Sequence, residues 1–159
     1  MNKIYIAFYC GRKKIDSPIA LLYRFIDFMI RVVTWGKFSH CELAVKTTNG
    51  YLCYSSSGRD GGVRQKIIDI KTDNWRLVDV TNTANLNDIN HYFHLTNEGK
   101  YDYFGALGAV LPFIKCKRRY FCSEWVYNAL KYSMQNPSED GSRFSPNDLW
   151  IMYGKVEKH

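Results

Sequence analysis

Alternating apolar and polar positions predict strands in the first half of the chain. Residues 3–9 alternate in this way and are rich in β-branched and aromatic side chains, which is typical of a β-strand. The same signals, bounded by turn residues, predict four more strands at residues 38–46, 51–57, 63–70 and 75–80. The dipeptide Asn49-Gly50 follows the first of these four and is typical of a tight hairpin turn.

Apolar residues at helical spacing predict helices on both sides of the strands. Ser17-Pro18 offers an N-cap followed by proline at the first helical position, which predicts a helix ending near Trp35. Its charged residues lie on a different stripe from its apolar residues, so the helix is amphipathic. The apolar stripe consists of Leu22, Phe25, Ile26, Met29 and Val33. Further helices are predicted at residues 85–98, 102–110 and 121–134, with a short one starting near residue 145.

Strands in the middle and helices at both ends predict an α+β fold with helices packed on a central antiparallel sheet. A chain of 159 residues is the size of one domain, and no linker or internal repeat divides residues 1–159. Because 46% of the residues are hydrophobic and 16% are aromatic, the composition excludes the class of disordered chains.

The charge of the chain restricts the classes of partner. Lysine and arginine number 22 against 15 acidic residues, a formal charge of +7 that favours anionic partners. Nucleic acid is the least favoured of these, because the sequence contains no recognition helix and no base-stacking motif. The longest hydrophobic stretch, residues 19–35, contains Arg24, Asp27 and Arg31, so we expect no transmembrane segment.

Five cysteines stand at positions 10, 41, 53, 116 and 122, without a Cys-x-x-Cys pair. This odd set argues against a disulfide framework and indicates a reducing compartment. The first ten residues lack the apolar run of a signal peptide, so we expect a cytoplasmic protein. Zinc-type ligand spacing is also missing, so neither a metal nor another cofactor is expected.

The predicted strand at residues 38–46 carries the first candidate for chemistry. Side chains alternate across a strand, so His40 and Glu42 share one face, while Cys41 and Leu43 share the other as inert core residues. An imidazole needs a partner on one ring nitrogen if the other nitrogen is to act as a base. Glu42 is placed to be that partner, directly or through a serine hydroxyl. The alternative is a surface His–Glu pair without a role.

The length of the hairpin loop decides what faces this pair. A two-residue loop pairs Glu42 with Ser57 and His40 with Arg59, whereas a four-residue loop pairs His40 with Ser57 and Glu42 with Ser55. Both loops place Ser55, Ser57 and Arg59 on the face of His40 and make that face polar and titratable. A three-residue loop would break this inference.

Cys122 is the second candidate, because it stands where a helix is predicted to begin. The helix N-terminus and the basic residues within 115–119 would favour the thiolate over the thiol. The alternative is a small buried hydrophobic residue, since Trp125, Val126 and Ala129 share its helical face. The segment alone does not separate a nucleophile in a crevice from a core cysteine.

Five segments together resemble the circularly permuted branch of the NlpC-type papain-like thiol hydrolases, and more narrowly its small members encoded by tailed bacteriophages. The resemblance extends from about residue 38 to residue 149. In chain order the segments are 38–43 (FSHCEL), 55–64 (SSSGRDGGVR), 101–103 (YDY), 121–124 (FCSE) and 144–149 (FSPNDL). His40 precedes Cys122, which is the order of the permuted branch.

The resemblance implies a papain-like fold and a cysteine at a helix start that faces a histidine on the sheet. Carried over, Cys122 is the nucleophile and His40 the base, with oxyanion donors in the amides of Cys122 and Ser123. Relatives place the third residue near Tyr54 or Ser55 of this chain. Glu42 takes that role here, because its face and charge suit it.

These inferences together predict a cysteine hydrolase acting on an acyl, peptide or amide substrate, in the host cytoplasm if the chain is phage-encoded. The scissile bond is an amide, with ester and thioester as alternatives. Arg59, with Ser55 and Ser57, is the candidate site for an anionic substrate group. The alternative function is a non-catalytic binding or regulatory domain that recognises an anionic ligand or a host protein. The oligomeric state does not follow from the sequence.

Overall fold

The computed structural model describes residues 2–11, 18–71, 73–102, 119–135, 141 and 144–154. These residues form seven strands and four helices in an α+β arrangement. The strands are β1 (Ile4–Tyr9), β2 (His40–Thr47), β3 (Gly50–Ser57), β4 (Gly62–Ile68), β5 (Trp75–Asp79), β6 (Lys100–Tyr101) and β7 (Arg119–Tyr120). The helices are α1 (Pro18–Val33), α2 (Leu86–Thr96), α3 (Cys122–Ser133) and α4 (Pro146–Tyr153).

All seven strands form one sheet in the order β5-β1-β2-β3-β4-β6-β7. Neighbouring strands are antiparallel except β6 and β7, which are parallel. The strand that carries His40 therefore lies inside the sheet, between β1 and β3, so both of its edges are hydrogen-bonded. The pairing with β1 includes His40 and Glu42 themselves, whereas the pairing with β3 runs from Leu43 to Thr47, so β1 is the strand that fixes the backbone of the site.

The hairpin between β2 and β3 has the register expected for a four-residue loop. Thr47 pairs with Gly50 and Leu43 pairs with Tyr54, which leaves Thr48-Asn49 as the turn. Gly50 has φ 128°, a region that favours glycine because other residues carry a Cβ. The alternative register, in which Asn49-Gly50 would be the two-residue loop, is not formed.

The two faces of the sheet differ as the alternation predicts. On one face Cys41, Leu43 and Tyr54 belong to the main core, which the helices α2 and α3 cover. On the other face Ala44 and Cys53 form a small apolar cluster beside the polar residues of the site. Cys53 thus lies on the face of His40, as expected from its position in β3.

Helix α3 is the central element of the core. Trp125, Val126 and Leu130 are fully buried in it, and the indole nitrogen of Trp125 donates to Thr96 Oγ1 at 2.9 Å. Because the same helical face carries Cys122, burying this face brings the cysteine down onto β2.

Helix α4 fixes the approach to β2. Ser145 and Asp148 form a capping box at its start, so the segment has the expected structural role. Asn147 in its first turn accepts from the amide of Phe38 at 3.0 Å and donates to its carbonyl at 2.9 Å. Phe38 lies two residues before His40, so this bidentate contact positions the entry to the strand.

Helix α1 turns much of its predicted apolar stripe away from the core. Leu22 and Phe25 are exposed, Ile26 is half-buried and Ile30 is buried. The bulky residues of this helix are therefore divided between an inner and an outer face.

Predicted and observed elements agree to within about three residues at their ends for β1 to β5, α1, α2 and α3. The two-residue strands β6 and β7 are absent from the prediction, because they are too short to show a period. The predicted helix at 102–110 lies, apart from its first residue, outside the described residues. The same holds for the N-cap at Ser17 and the basic run, apart from Arg119.

Candidate active site

Cys122 is the first residue of α3 and is only 3% exposed. Phe121 before it is extended, so the chain enters the helix at the cysteine itself. The partial positive charge of a helix N-terminus favours an anion at this point. The sequence predicts that the basic residues within 115–118 add to this effect, and these residues lie outside the described part of the chain.

The amides of the first helical turn lie next to the thiol. The amide of Trp125 donates to the carbonyl of Phe121 at 3.0 Å, the start of the intrahelical bonds. The amides of Cys122 and Ser123 precede it and so have no carbonyl four residues back within the helix. Their role as oxyanion donors stays a prediction. The hydroxyl of Ser123 is also buried and has no hydrogen-bond partner among the residues that the structure describes.

His40 contacts both the cysteine and the glutamate. Its Nε2 lies 3.0 Å from Oε1 of Glu42, and its ring interacts with the thiol of Cys122. An ionised carboxylate only accepts, so the proton between His40 and Glu42 belongs to Nε2. Nδ1 is then the nitrogen that exchanges a proton with the thiol. The direct contact between His40 and Glu42, without an intervening serine, is one of the two arrangements the sequence allowed.

Glu42 is buried, with 2% exposure, and an arginine neutralises it. Arg64 Nη1 donates to Oε2 at 2.8 Å and Nη2 donates to Oε1 at 2.7 Å. Burial alone would raise the pKa of Glu42, but the hydrogen bonds from Arg64 and His40 outweigh burial and lower the pKa to about 2. The carboxylate is therefore charged at every pH at which the fold is expected to work.

A second carboxylate holds Arg64 from the other side. Asp60 accepts from Arg64 Nε at 2.8 Å and from Lys66 Nζ at 2.9 Å. These bonds outweigh the effect of burial and lower the pKa of Asp60. Three groups of alternating charge thus lead from the surface to Glu42, which fixes the carboxylate that touches His40.

The histidine and the cysteine stabilise each other in their charged forms. Burial alone would lower the pKa of His40, but the charge and hydrogen bond of Cys122, together with Glu42, raise the pKa to about 9. The pKa of Cys122 is lowered by a hydrogen bond from Cys41 and by His40, against the opposing effect of burial. The geometry therefore favours a thiolate–imidazolium pair at neutral pH.

Cys41 is the residue whose role the sequence interpretation missed. The sequence pattern predicts an inert core residue, yet the thiol of Cys41 is hydrogen-bonded to Cys122. Burial and the neighbouring thiolate raise the pKa of Cys41 well above its usual value, so its sulfur keeps the proton that it donates. The correction arises because α3 packs on the face of β2 that Cys41 occupies.

The two alternatives for the third residue do not contact His40. The hydroxyl of Tyr54 donates to Asn90 at 2.7 Å on the core side of the sheet. Ser55 is fully buried and donates to the carbonyl of Cys41 at 2.8 Å, which places it in the sheet and not in an open site. Glu42 is the candidate whose side chain reaches the imidazole.

A cavity of about 430 Å³ opens beside His40. Its wall combines charged residues of β4 and the turn before it with apolar residues of α1 and β5. Among the lining residues are Ile26, Ile30, Glu42, Arg64 and Trp75. Cys122 does not line this cavity but faces a smaller recess of about 10 Å³, and Ile30 and Tyr101 border both spaces.

Two of the three candidate substrate-binding residues lie in the wall of the cavity. Ser57 and Arg59 line the cavity together with His40. Arg59 donates to Asp27 of α1 at 2.8 Å and lies over the ring of Tyr23, so an anionic ligand would compete with Asp27 for it. Ser55 does not line the cavity.

The sequence contained a pattern from which the position of Arg64 could have been predicted. Arg64 lies in β4 opposite Ser55 of β3, and the tight turn at Gly61-Gly62 sets this register. Both residues belong to one of the segments quoted for the resemblance. Side chains paired across strands share a face, so a hairpin argument extended to β4 would have placed Arg64 beside Glu42.

Comparison with protein-family models, with curated proteins and with solved structures finds no match for this chain. Among the described residues, no cluster of three or more histidine, cysteine or acidic side chains could hold a metal ion. No helix in the described part of the chain is long and apolar enough to cross a membrane.

Proposed function

We propose that the chain is a cysteine-dependent hydrolase that cleaves an amide bond through an acyl-enzyme on Cys122. The observation that carries the proposal is the position of His40, which contacts the thiol of Cys122 on one side and the carboxylate of Glu42 on the other. A nucleophile, a base and a residue that orients the base are the three parts that such a reaction requires. Esters and thioesters would react by the same route.

Each step assigns a task to one of these groups. The thiolate of Cys122 attacks the carbonyl carbon, and the first-turn amides of Cys122 and Ser123 donate to the oxyanion. His40 gives its Nδ1 proton to the leaving amine as the carbon–nitrogen bond breaks, which leaves a thioester on Cys122. His40 then removes a proton from water, and the water oxygen attacks the thioester. The carboxylic acid leaves and the thiolate is restored.

The resemblance to permuted NlpC-type hydrolases supports this proposal, because the quoted segments include both Cys122 and His40 in the permuted order. On this basis the domain is papain-like, and a phage-encoded member would act in the host cytoplasm. Ser57 and Arg59 in the cavity wall are the residues we assign to an anionic substrate group.

A second candidate function has one observation in its favour. Cys122 is nearly buried and lies outside the 430 Å³ cavity, whereas Arg59, Arg64 and Lys66 line that cavity. Each of these cations is paired with a carboxylate in the same wall, and a domain that binds an anionic ligand without transforming it would exchange such a carboxylate for the ligand.

The test uses the full chain and a library of acyl amides, esters and thioesters with chromogenic leaving groups, followed by intact mass measurement. Wild type should release the leaving group and carry a transient acyl adduct on Cys122. Cys122→Ala should lose the turnover by roughly a thousandfold or more, as removal of a nucleophile does. Cys10→Ala is the matched control, since Cys10 is the half-buried residue that follows β1 and has no task in the proposed reaction, and it should retain turnover.

Two results would contradict the hydrolase. Turnover that survives in purified Cys122→Ala would remove the proposed nucleophile. If no substrate class reacts, while a ligand protects Arg59 from modification equally in wild type and Cys122→Ala, the binding domain takes its place.

A further inference from the structure

The outer side of α1 exposes large apolar side chains along its whole length. Phe25 and Phe28 are each 58% exposed, and Trp35 just beyond the helix is 96% exposed. We define the outer apolar face of α1 as Leu21, Leu22, Phe25, Phe28 and Val32, together with Trp35. Single exposed apolar residues are ordinary, but a continuous row over four turns marks an interaction surface.

This row is not the face that α1 uses to cover the protein. Ile26 and Ile30 point into the cavity beside His40, and Tyr23 lies against the turn after β3, where it donates to the carbonyl of Gly58. The helix thus has one apolar side for the fold and another that the described part of the chain leaves exposed. The other described helices show at most two exposed large apolar residues each.

Basic side chains accompany the row. A shallow surface depression is lined by Phe28, Val32 and Trp35 together with Arg24, Arg31 and Lys37. Asp27 is the acidic residue in this lining, and Arg59 already neutralises it at 2.8 Å. The surface around the row therefore carries positive charge, as does the chain with its formal charge of +7.

From this combination we propose that the outer apolar face of α1 binds the surface of an anionic lipid bilayer. A helix that lies in the membrane interface has apolar and aromatic residues on one side and basic residues beside them. The apolar side chains enter the boundary between headgroups and acyl chains, while the cations pair with anionic headgroups. The 16-residue helix α1 lies on the bilayer and does not cross it.

A second copy of this chain fits the row less well than a bilayer. In a symmetric dimer the same patch faces itself, so a surface that carries Arg24, Arg31 and Lys37 would face a second surface with the same positive charge. Among the residues that line the depression, Asp27 is the acidic one, and it forms an ion pair with Arg59. An anionic bilayer neutralises these cations. Charge complementarity therefore favours a bilayer over a second copy of the chain.

Trp35 independently supports the binding of a bilayer. It has φ 49°, in the left-handed region that favours glycine, yet the chain places its bulkiest side chain there with almost full exposure. Tryptophan prefers the interface between membrane and water, because its ring is apolar and its N–H is polar. A position in the membrane interface explains why an exposed tryptophan occupies this unfavourable backbone conformation.

The test is co-sedimentation of the full chain with vesicles of phosphatidylcholine containing phosphatidylglycerol, compared with phosphatidylcholine alone. Wild type should bind the anionic vesicles. Phe25→Glu should weaken binding about tenfold or more, since it removes one large apolar side chain from the interface and adds a negative charge. The matched control is Leu95→Glu on α2, where Leu95 is 63% exposed, and it should bind like wild type.

Further measurements separate this proposal from its rivals and from the hydrolase. Cys122→Ala should bind vesicles as wild type does, so binding and catalysis succeed or fail independently. The proposal is overturned if wild type does not sediment with anionic vesicles, or if Phe25→Glu and Leu95→Glu have equal effects. It is also overturned if light scattering shows a dimer that Phe25→Glu dissociates while vesicles bind neither protein. Circular dichroism must show that each variant is folded.

Discussion

Arg64 holds both carboxylate oxygens of Glu42, at 2.7 and 2.8 Å, and one of those oxygens is the atom that lies 3.0 Å from Nε2 of His40. The arginine touches neither the imidazole nor the thiol. It acts on them through the carboxylate, whose rotation it prevents. Arg64 is therefore a positioning residue, and the reactivity of Cys122 should depend on the geometry of its guanidinium and not only on its charge.

Replacing Arg64 with lysine tests this dependence. Lysine keeps the positive charge but cannot form two parallel bonds, so the carboxylate becomes free to turn away from His40. We expect the apparent pKa of Cys122 in its alkylation profile to rise by about one unit, so the pH at which the rate is half-maximal should move up by the same amount. The measurement is the pH profile of alkylation. Arg76→Lys on the exposed side of β5 is the control, and an equal rise there would refute the assignment.

The pair of Cys122 and His40 predicts an unusual alkylation profile. Because the pKa of Cys122 is lowered, its thiolate persists at pH 6, where iodoacetamide should modify it before Cys10. Burial raises the pKa values of Cys41 and Cys53, so both should remain slow. In His40→Ala the advantage of Cys122 should disappear. Site-resolved mass spectrometry measures all of these rates, and a Cys122 that is slow, or indifferent to His40, would contradict the pair.

The hydrogen bond from Cys41 predicts that this buried thiol also tunes the nucleophile. Cys41→Ala removes the donor, so the pKa of Cys122 should rise and alkylation at pH 6 should slow. Cys41→Ser keeps a donor of similar size and should restore most of the rate. If Cys41 had only a structural role, both variants would have lower melting temperatures. The rate of Cys122 alkylation would then not differ between the alanine and the serine variant.

Glu42 makes the stability of the fold depend on pH in the acid range. Its folded-state pKa of about 2 is below the ordinary value of 4.5, so the contribution is complete above pH 4.5 and is lost as pH falls through 2. The difference corresponds to a free energy of unfolding on the order of 3 kcal/mol. Urea denaturation at pH 5 and pH 3 should show a smaller difference in Glu42→Gln than in wild type.

Two controls make the acid experiment specific. Glu42→Gln should also be less stable than wild type at pH 7, because Arg64 loses one of its two carboxylates in a buried setting. Asp69→Asn changes a carboxylate that is 81% exposed and should keep the pH dependence of wild type. If both variants behave alike, Glu42 is not the source of the acid sensitivity.

The local sequence pattern determined most of the secondary structure and the faces of its elements. The period of two in β1 to β5 and the helical period in α2 and α3 follow from which residues can be buried on one side of an element. The same alternation placed His40 and Glu42 on one face, because residues two apart in a strand must share it. The Asn49-Gly50 dipeptide indicated a hairpin turn at this point of the chain, although it left the length of the loop open. None of these inferences needs a contact between distant parts of the chain.

Tertiary packing determined which of these elements contact each other. Cys122 meets His40 and Cys41 because the apolar face of α3 is buried against β2, and no periodicity along the sequence encodes that choice of partner. Arg64 reaches Glu42 across β3, a strand that separates them in the sheet. The amphipathic pattern of α1 did not show which apolar residues would be buried, because bulky residues occur on more than one side. Local sequence determines which faces an element has, whereas contacts distant in sequence determine what each face meets.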